Sequence, residues 1–263
     1  MFEFHADRHR YFEMQRLNAE KYVIPFIEQT FAIQPGMRVL EIGAGEGGVL
    51  KAFINKGCVG VAVELDADRV VNGSQWLKED IENEKISFIT EDIYKVHEEE
   101  LGKFDIIVLK DVIEHIHDQK KLIAWLQHFI KPGGLLFFGF PPWQMPFGGH
   151  QQMGHKKLAR MPWLHLLPIP LYKSALKLIG EPKHNAEMLL EVHETGLTIE
   201  RFEKILKQTG WKTVNKRHFL INPIYEWKFG WKPRTQSSII SAIPVLRNFI
   251  TTCVYYSVKP VNH

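Results

Sequence analysis

Cysteine is nearly missing from this chain of 263 residues. Cys58 and Cys253 lie far apart and outside any CxxC pairing, which argues against a disulfide framework and a structural zinc site. Long apolar runs are missing too. No stretch reaches the roughly 18 residues that a spanning helix needs. Pro244 and Arg247 break one candidate, and Pro162, Pro168 and Pro170 break another. The opening residues, MFEFHADRHRYF, are charged and aromatic with no apolar core, so no secretory signal is expected. A reducing, cytoplasmic setting is the simplest expectation. No internal repeat or low-complexity tract is visible. Hydrophobic residues at 45% and charged residues at 24% give an ordinary globular balance, enough for one core with a small lid.

The net charge of +3 hides a gradient. Acids outnumber bases through residue 150, whereas Lys156, Lys157, Arg160, Lys173, Lys177 and Lys183 meet only Glu181 in the following stretch. A second basic stretch follows Glu226. Charge placed this way speaks to partners rather than to fold.

Ala19, Tyr22, Val23, Phe26 and Ile27 recur at helical spacing and predict a helix over 5–31 with a kink near Pro25. Beyond Gln34-Pro35-Gly36, MRVLEI, CVGVAVEL, ISFIT, FDIIVL and LLFFGF read as five buried strands. Helices are expected to about Lys56, over 67–82, near 93–101 and after an Asp118 cap. Lys131-Pro132-Gly133-Gly134 is expected to stop the last of these. Such alternation implies a parallel sheet with right-handed crossovers. Residues 141–190 are rich in proline, tryptophan and histidine with little periodicity, and read as an insertion. Helix resumes at Thr198, WKTVNKRHFLI is a strand, 222–250 is a second irregular insertion, and CVYYSVK is a last strand. The expected single domain thus has a helical cap over 1–35, a cofactor-binding core over 36–142, a lid insertion over 143–195 and a C-terminal part over 196–263.

Glu41-Ile42-Gly43-Ala44-Gly45-Glu46-Gly47-Gly48 joins the first strand to its helix. Glycines there let the turn bend sharply and let a ligand approach the backbone. Gly43, Gly45 and Gly48 also match GxGxxG, which would suit NAD or FAD. The acids decide between them. Glu64 ends the second strand, where a carboxylate can accept from both ribose hydroxyls. Asp92 follows the third strand and Asp111 the fourth, so with Glu41 four acids stand at the carboxyl edge. They suit a cationic ligand rich in donors and suit a pyrophosphate poorly.

VLEIGAGEGG, VAVELD, ITEDIY, FDIIVLKDVIEHIHD and IKPGGLLFF, in that order and spacing, resemble the class I S-adenosylmethionine-dependent methyltransferases. The resemblance covers about 37–142 and, more weakly, 198–221 and 253–259. It implies S-adenosyl-L-methionine as cofactor and an α/β, Rossmann-like, mostly parallel seven-stranded sheet. CVYYSVK would be its antiparallel last strand, and lid insertions would complete it. By the same resemblance Glu41 and the backbone of Gly43, Ala44 and Gly45 hold the methionine moiety. Glu64, beside Leu65, holds the ribose, and Asp92 with Ile93 the adenine. Lys110 with Asp111 would hold the methionine amino group through main-chain carbonyls. Asp111-Val112-Ile113-Glu114-His115 looks like the small-molecule branch that includes ubiquinone-type O-methyltransferases, with Glu114 and His115 at the mouth of the site.

The expected reaction is methyl transfer to an oxygen, or a nitrogen, of a small-molecule or lipid- or saccharide-linked acceptor; transfer to a hydroxyl needs positioning and a base. PPWQMPFGGHQQMGH leaves the fifth strand at the carboxyl edge, and His150, between two glycines and two glutamines, reads as a mobile polar tip. His150 is the first candidate base, His155 the second, and His115 a third at the mouth. His115 and His117 stand two apart with no further ligand pattern, so no metal is expected. Pro141-Pro142-Trp143 resembles the NPPY box only superficially, for it lacks the asparagine and follows the fifth strand. The amino-terminal helix, with His9, Tyr11 and Phe12, is expected to close over the cofactor. MPWLHLLPIPLYKSALKLIG, flanked by bases, points to a small-molecule or lipid-linked acceptor and to contact with anionic membrane. It includes a short amphipathic helix from Leu171. The alternatives are an RNA or protein methyltransferase, and an NAD-type oxidoreductase or noncatalytic nucleotide-binding protein. Nucleic acid is not expected, because no recognition motif is present and the first 150 residues are acidic.

Overall fold

The computed structural model describes residues 7–261. Asp7 accepts from the Arg10 amide at 2.9 Å and so starts α1 (Arg8–Asn18). A π turn at Ala19–Val23 leads on into α2 (Ile24–Ile27). Pro25 has no N–H, and its ring crowds the carbonyl four residues back. The ladder widens just before it, the Ile24 amide reaching the Ala19 carbonyl. The expected kink is thus a π bulge, and the helix stops at Ile27 rather than at 31. Residues 5 and 6 of the expected helix lie outside the described residues.

The alternation then follows as read: β1 (Arg38–Ile42), α3 (Gly48–Asn55), β2 (Val59–Glu64), α4 (Ala67–Trp76), α5 (Lys78–Glu82), β3 (Ile86–Thr90), α6 (Glu98–Leu101), β4 (Phe104–Lys110), α7 (Gln119–Trp125) and β5 (Ile130–Phe140). Lys131-Pro132-Gly133-Gly134 corrects one expectation. It lies inside β5 as an outward bulge, Phe104 pairing with Ile130 and Ile106 already with Leu135. The helix before it ends on its own at Trp125, where a 3₁₀ turn, Leu126–His128, takes over.

Beyond β5 come α8 (Ile169–Ile179), α9 (Lys183–Thr195), α10 (Ile199–Gln208), β6 (Trp211–Ile221), α11 (Tyr225–Phe229), β7 (Arg234–Thr235), α12 (Ser238–Ala242), α13 (Leu246–Ile250) and β8 (Cys253–Pro260). One sheet holds all the strands in the order β3-β2-β1-β4-β5-β8-β6-β7. β1 to β5 pair in parallel, and β8 enters antiparallel between β5 and β6. The expected antiparallel last strand is therefore present. An eighth strand, the two-residue β7 paired with β6, was too short to leave a period in the sequence.

Both faces of the sheet are covered, which is why its central strands read as unbroken apolar runs. Leu40, Ile107, Leu136 and Phe138 pack toward Leu122 and Phe202, whereas Val39, Ile106, Leu135 and Phe137 pack toward Val23, Phe26 and Phe53. Each such side chain contributes roughly 1.5–3 kcal/mol on burial.

The lid is more ordered than its sequence suggests. Ala159, Tyr172, Leu176 and Leu189 form a small core of their own between α8 and α9. The short amphipathic helix is α8, whereas α9 was missed because Lys183, His184, Asn185 and Glu187 dilute its apolar stripe. No helix among the described residues is long and apolar enough to cross a membrane.

Candidate functional site

The loop after β1 sits at the carboxyl edge, where an open α/β sheet binds ligands. Gly43, Gly45 and Gly47 adopt φ of 63°, 57° and 83°, left-handed values that disfavour a side chain. A Cβ on Gly43 would meet the Val112 side chain at 2.6 Å, whereas at Gly45 the nearest atom is the Arg69 guanidinium at 3.9 Å. Gly45 thus presents bare backbone to open space.

That space is two adjoining cavities sharing Gly43 and His115. The smaller, about 430 Å³, is lined by Glu64, Leu65, Asp92 and Ile93 among others. The larger, about 500 Å³, is lined by Glu41, Ala44, Gly45, Lys110, Asp111, Glu114 and His150 along the sheet edge. Its roof comes from Arg8 and Tyr11 of α1, Met188 and Val192 of α9, and Asn222 and Tyr225 of the second insertion. The ten residues expected at the cofactor therefore all line one cavity or the other. The amino-terminal helix packs against the glycine loop. Arg8 pairs with the buried Glu46, and a Cβ on Gly48 would strike the Phe12 carbonyl at 2.6 Å. His9 instead packs edge-on against Trp76, ring centroids 4.9 Å apart.

Local hydrogen bonds set each acid. Glu64 accepts from the amides of Gly45, Leu65 and Asp66 at 2.7, 2.8 and 3.0 Å, which ties the glycine loop to the end of β2. A carboxylate offers about four acceptor positions, so room remains for a ligand hydroxyl. Asp92 caps the 3₁₀ turn Ile93–Lys95 through the Tyr94 amide. Glu41 accepts from the Leu50 amide at 2.9 Å. Burial pushes its carboxyl up to about 8; the charge of Glu64 adds to this, and the Leu50 amide and Lys110 oppose it. Lys110 is buried and pairs with Asp111. Burial pulls the Lys110 ammonium down, but the charge and hydrogen bond of Asp111 together with the charges of Tyr255 and Cys253 hold the group above its ordinary range. Asp111 itself takes φ of 57°, its amide donating to the Gly139 carbonyl at 2.7 Å. Carboxyls beside a bare glycine backbone fit a cationic ligand with hydroxyl and amino donors, and would repel a pyrophosphate.

His150 differs from its expectation. It is partly buried and turned inward, not a mobile tip, because Gly148 and Gly149 fold the loop tightly. A Cβ on Gly148 would lie 2.0 Å from the Trp143 carbonyl, and one on Gly149 2.4 Å from His165. His150 takes φ of 56° and meets His115 edge to face at 4.8 Å between centroids. Burial, helped by the charge of His115, pushes the His150 imidazole down to about 3. His115, whose ring is open to the cavity, is also lowered, by burial first. His155 is a correction. It is exposed, its amide donates to the Glu181 carboxylate, and it lines neither cavity. The chain leaves the cavity after Met153, two residues short of His155. His117 points toward Glu191, 3.7 Å away. Glu114 is buried with neither carboxylate oxygen hydrogen-bonded, and burial with the charge of Asp111 pushes its carboxyl well up. Sequence reading missed the apolar wall of Met145, Phe147, Met153, Met188 and Ile224, which only the lid and second insertion bring together.

The chain matches the profile of a family described as methyltransferase domain over residues 14–216. A ubiquinone biosynthesis O-methyltransferase of Acinetobacter baumannii is 21% identical over 195 residues, covering 70% of this chain and 72% of that protein. A putative sarcosine dimethylglycine methyltransferase from Galdieria sulphuraria has the same fold, with a TM-score of 0.59 at 14% identity, covering 92% of this chain and 85% of that one. The magnesium protoporphyrin IX methyltransferase from Synechocystis, solved with bound SAH, gives 0.53 at 14% identity, covering 93% and 82%.

Proposed function

The chain belongs to the class I S-adenosylmethionine-dependent methyltransferases, and from that premise we propose that it methylates a hydroxyl oxygen of a small acceptor with both polar and apolar parts. The observation that carries this reading is the 500 Å³ chamber at Gly43–Gly45, whose lining includes Met145, Phe147, Met153 and Met188 together with Glu114, His115 and His150. Its roof of α1, α9 and α11 favours a small molecule over RNA or protein. When bound, S-adenosylmethionine supplies an electrophilic methyl group on its sulfonium. Glu64 would take the ribose, Asp92 and Ile93 the adenine, and Glu41, Gly45, Lys110 and Asp111 the methionine end. A hydroxyl loses its proton as the C–O bond forms, and two imidazoles held neutral stand at the chamber wall to orient it.

The lid favours a lipid-linked acceptor drawn from an anionic membrane surface. Leu158, Met161, Trp163, Leu171 and Leu178 are exposed, in a segment that also carries Lys156, Lys157, Lys173 and Lys177. The test is transfer of label from methyl-labelled cofactor into cell extract, followed by separation of small molecules, protein and nucleic acid. Label in the organic-soluble small-molecule fraction is expected. Label confined to protein or RNA would replace the reading.

A further inference from the structure

Glu114, His115 and His150 offer one ligand atom each, and these atoms all lie within 4.8 Å of one another. His115 Nε2 is 4.0 Å from Glu114 Oε1. The Glu114 carboxyl is 5% exposed, and both its oxygens are buried without a hydrogen-bond partner. Taking an ionised carboxylate out of water without a partner costs several kcal/mol. Lys110 offsets this only in part, because its ammonium is engaged by Asp111. His150 is held in the left-handed region to reach this corner, a conformation a non-glycine residue adopts only when its surroundings impose it. An orphaned carboxyl and two imidazoles on separate loops therefore converge on one point.

We propose that this corner is a divalent-cation site for transition ions such as zinc, manganese or iron(II), and that its open positions face the acceptor chamber. Two imidazoles and one carboxylate form the donor set that leaves coordination positions free for a ligand oxygen. Donors around such an ion sit about 2.0–2.2 Å from it, so the side chains close by about an ångström on binding. His115, open to the cavity, has the freedom to do so. The sequence argument against a metal paired His115 with His117. In the structure His117 turns to Glu191, and the second imidazole comes from the loop after β5.

Resting on the reading of the chamber as the acceptor site, the ion's role follows. It holds the acceptor hydroxyl oxygen and lowers its pKa. The O–H proton passes to water. As the oxygen bonds to the methyl carbon, the C–S bond breaks, its electron pair stays on sulfur, and the sulfonium becomes a neutral thioether.

Equilibrium dialysis of the untagged full chain against zinc or manganese chloride tests the site without any acceptor. The expected result is one ion per chain at micromolar concentration, with at least about tenfold weaker binding for Glu114→Gln and for His150→Ala. Cobalt(II) should give a visible absorption band in the wild type that both variants lose. Calorimetry with S-adenosylhomocysteine reports whether each variant is folded, and both should bind it as the wild type does. Wild-type binding only at millimolar ion, or unchanged metal binding in both folded variants, would overturn the proposal. Metal binding in a chain that transfers no label would leave the ion site standing and remove the acceptor reading instead.

Discussion

His115 and His150 meet edge to face with their ring centroids 4.8 Å apart, although one follows β4 and the other follows β5. Parallel strands deliver their carboxyl ends to the same edge, so residues distant in the chain become neighbours over the glycine loop. His150→Ala is expected to lower turnover by ~10²–10⁴ with S-adenosylhomocysteine affinity unchanged. Full activity on the true acceptor would return His150 to a packing role.

Glu64→Ala is expected to weaken cofactor binding by about ten- to a hundredfold, roughly 1.5–3 kcal/mol for a charged acceptor lost. Part of that loss comes through the Gly45 amide, which Glu64 holds at 2.7 Å. Gly45→Val should abolish binding, since its side chain would enter open cavity from a backbone at φ of 57°. Calorimetry on both variants checks this, and unchanged affinity in a folded valine variant would mean that the loop does not touch the cofactor.

Stability should fall between about pH 6.5 and 8. Burial holds Glu41 up to about 8 and Glu114 well above its ordinary value. The folded chain keeps protons there that the unfolded chain has released, so this stabilisation is full below about 4.5 and is lost as pH rises. Burial pushes His150, His165 and His218 down to about 3, 4 and 4. They destabilise the fold only as pH falls below their ordinary value near 6.5, leaving the two carboxyls to act above it. Thermal melts across this window should show a declining melting temperature, flattened by Glu41→Gln. A rise with pH would contradict the burial of these groups.

The lid should attach to anionic liposomes at low salt and detach at high salt, because each base near such a surface contributes about 1 kcal/mol. Charge reversal at Lys156, Lys157, Lys173 and Lys177 should abolish sedimentation. Absence of binding at low salt would make the segment a lid alone and favour a soluble acceptor.

The sheet and the cofactor edge were legible because each rests on a local signal. Buried parallel strands leave apolar runs such as FDIIVL, and the strand-ending acids Glu64 and Asp111 stand where those runs stop. The acceptor chamber was not legible. Its walls join Tyr11, Met188 and Tyr225 from three separate segments, and no local period records that meeting. His150 was singled out for the wrong reason: flanking glycines suggested mobility, whereas their lack of side chains lets the loop pack tightly against Trp143 and His165.

The most direct measurement is the carbon-13 spectrum of the small-molecule product formed with cofactor labelled in its methyl group. A methyl-ether carbon, present with the wild type and lost with His150→Ala, is expected. A methylamine carbon, or label only in protein or nucleic acid, would contradict transfer to a hydroxyl at the Glu114–His115–His150 corner.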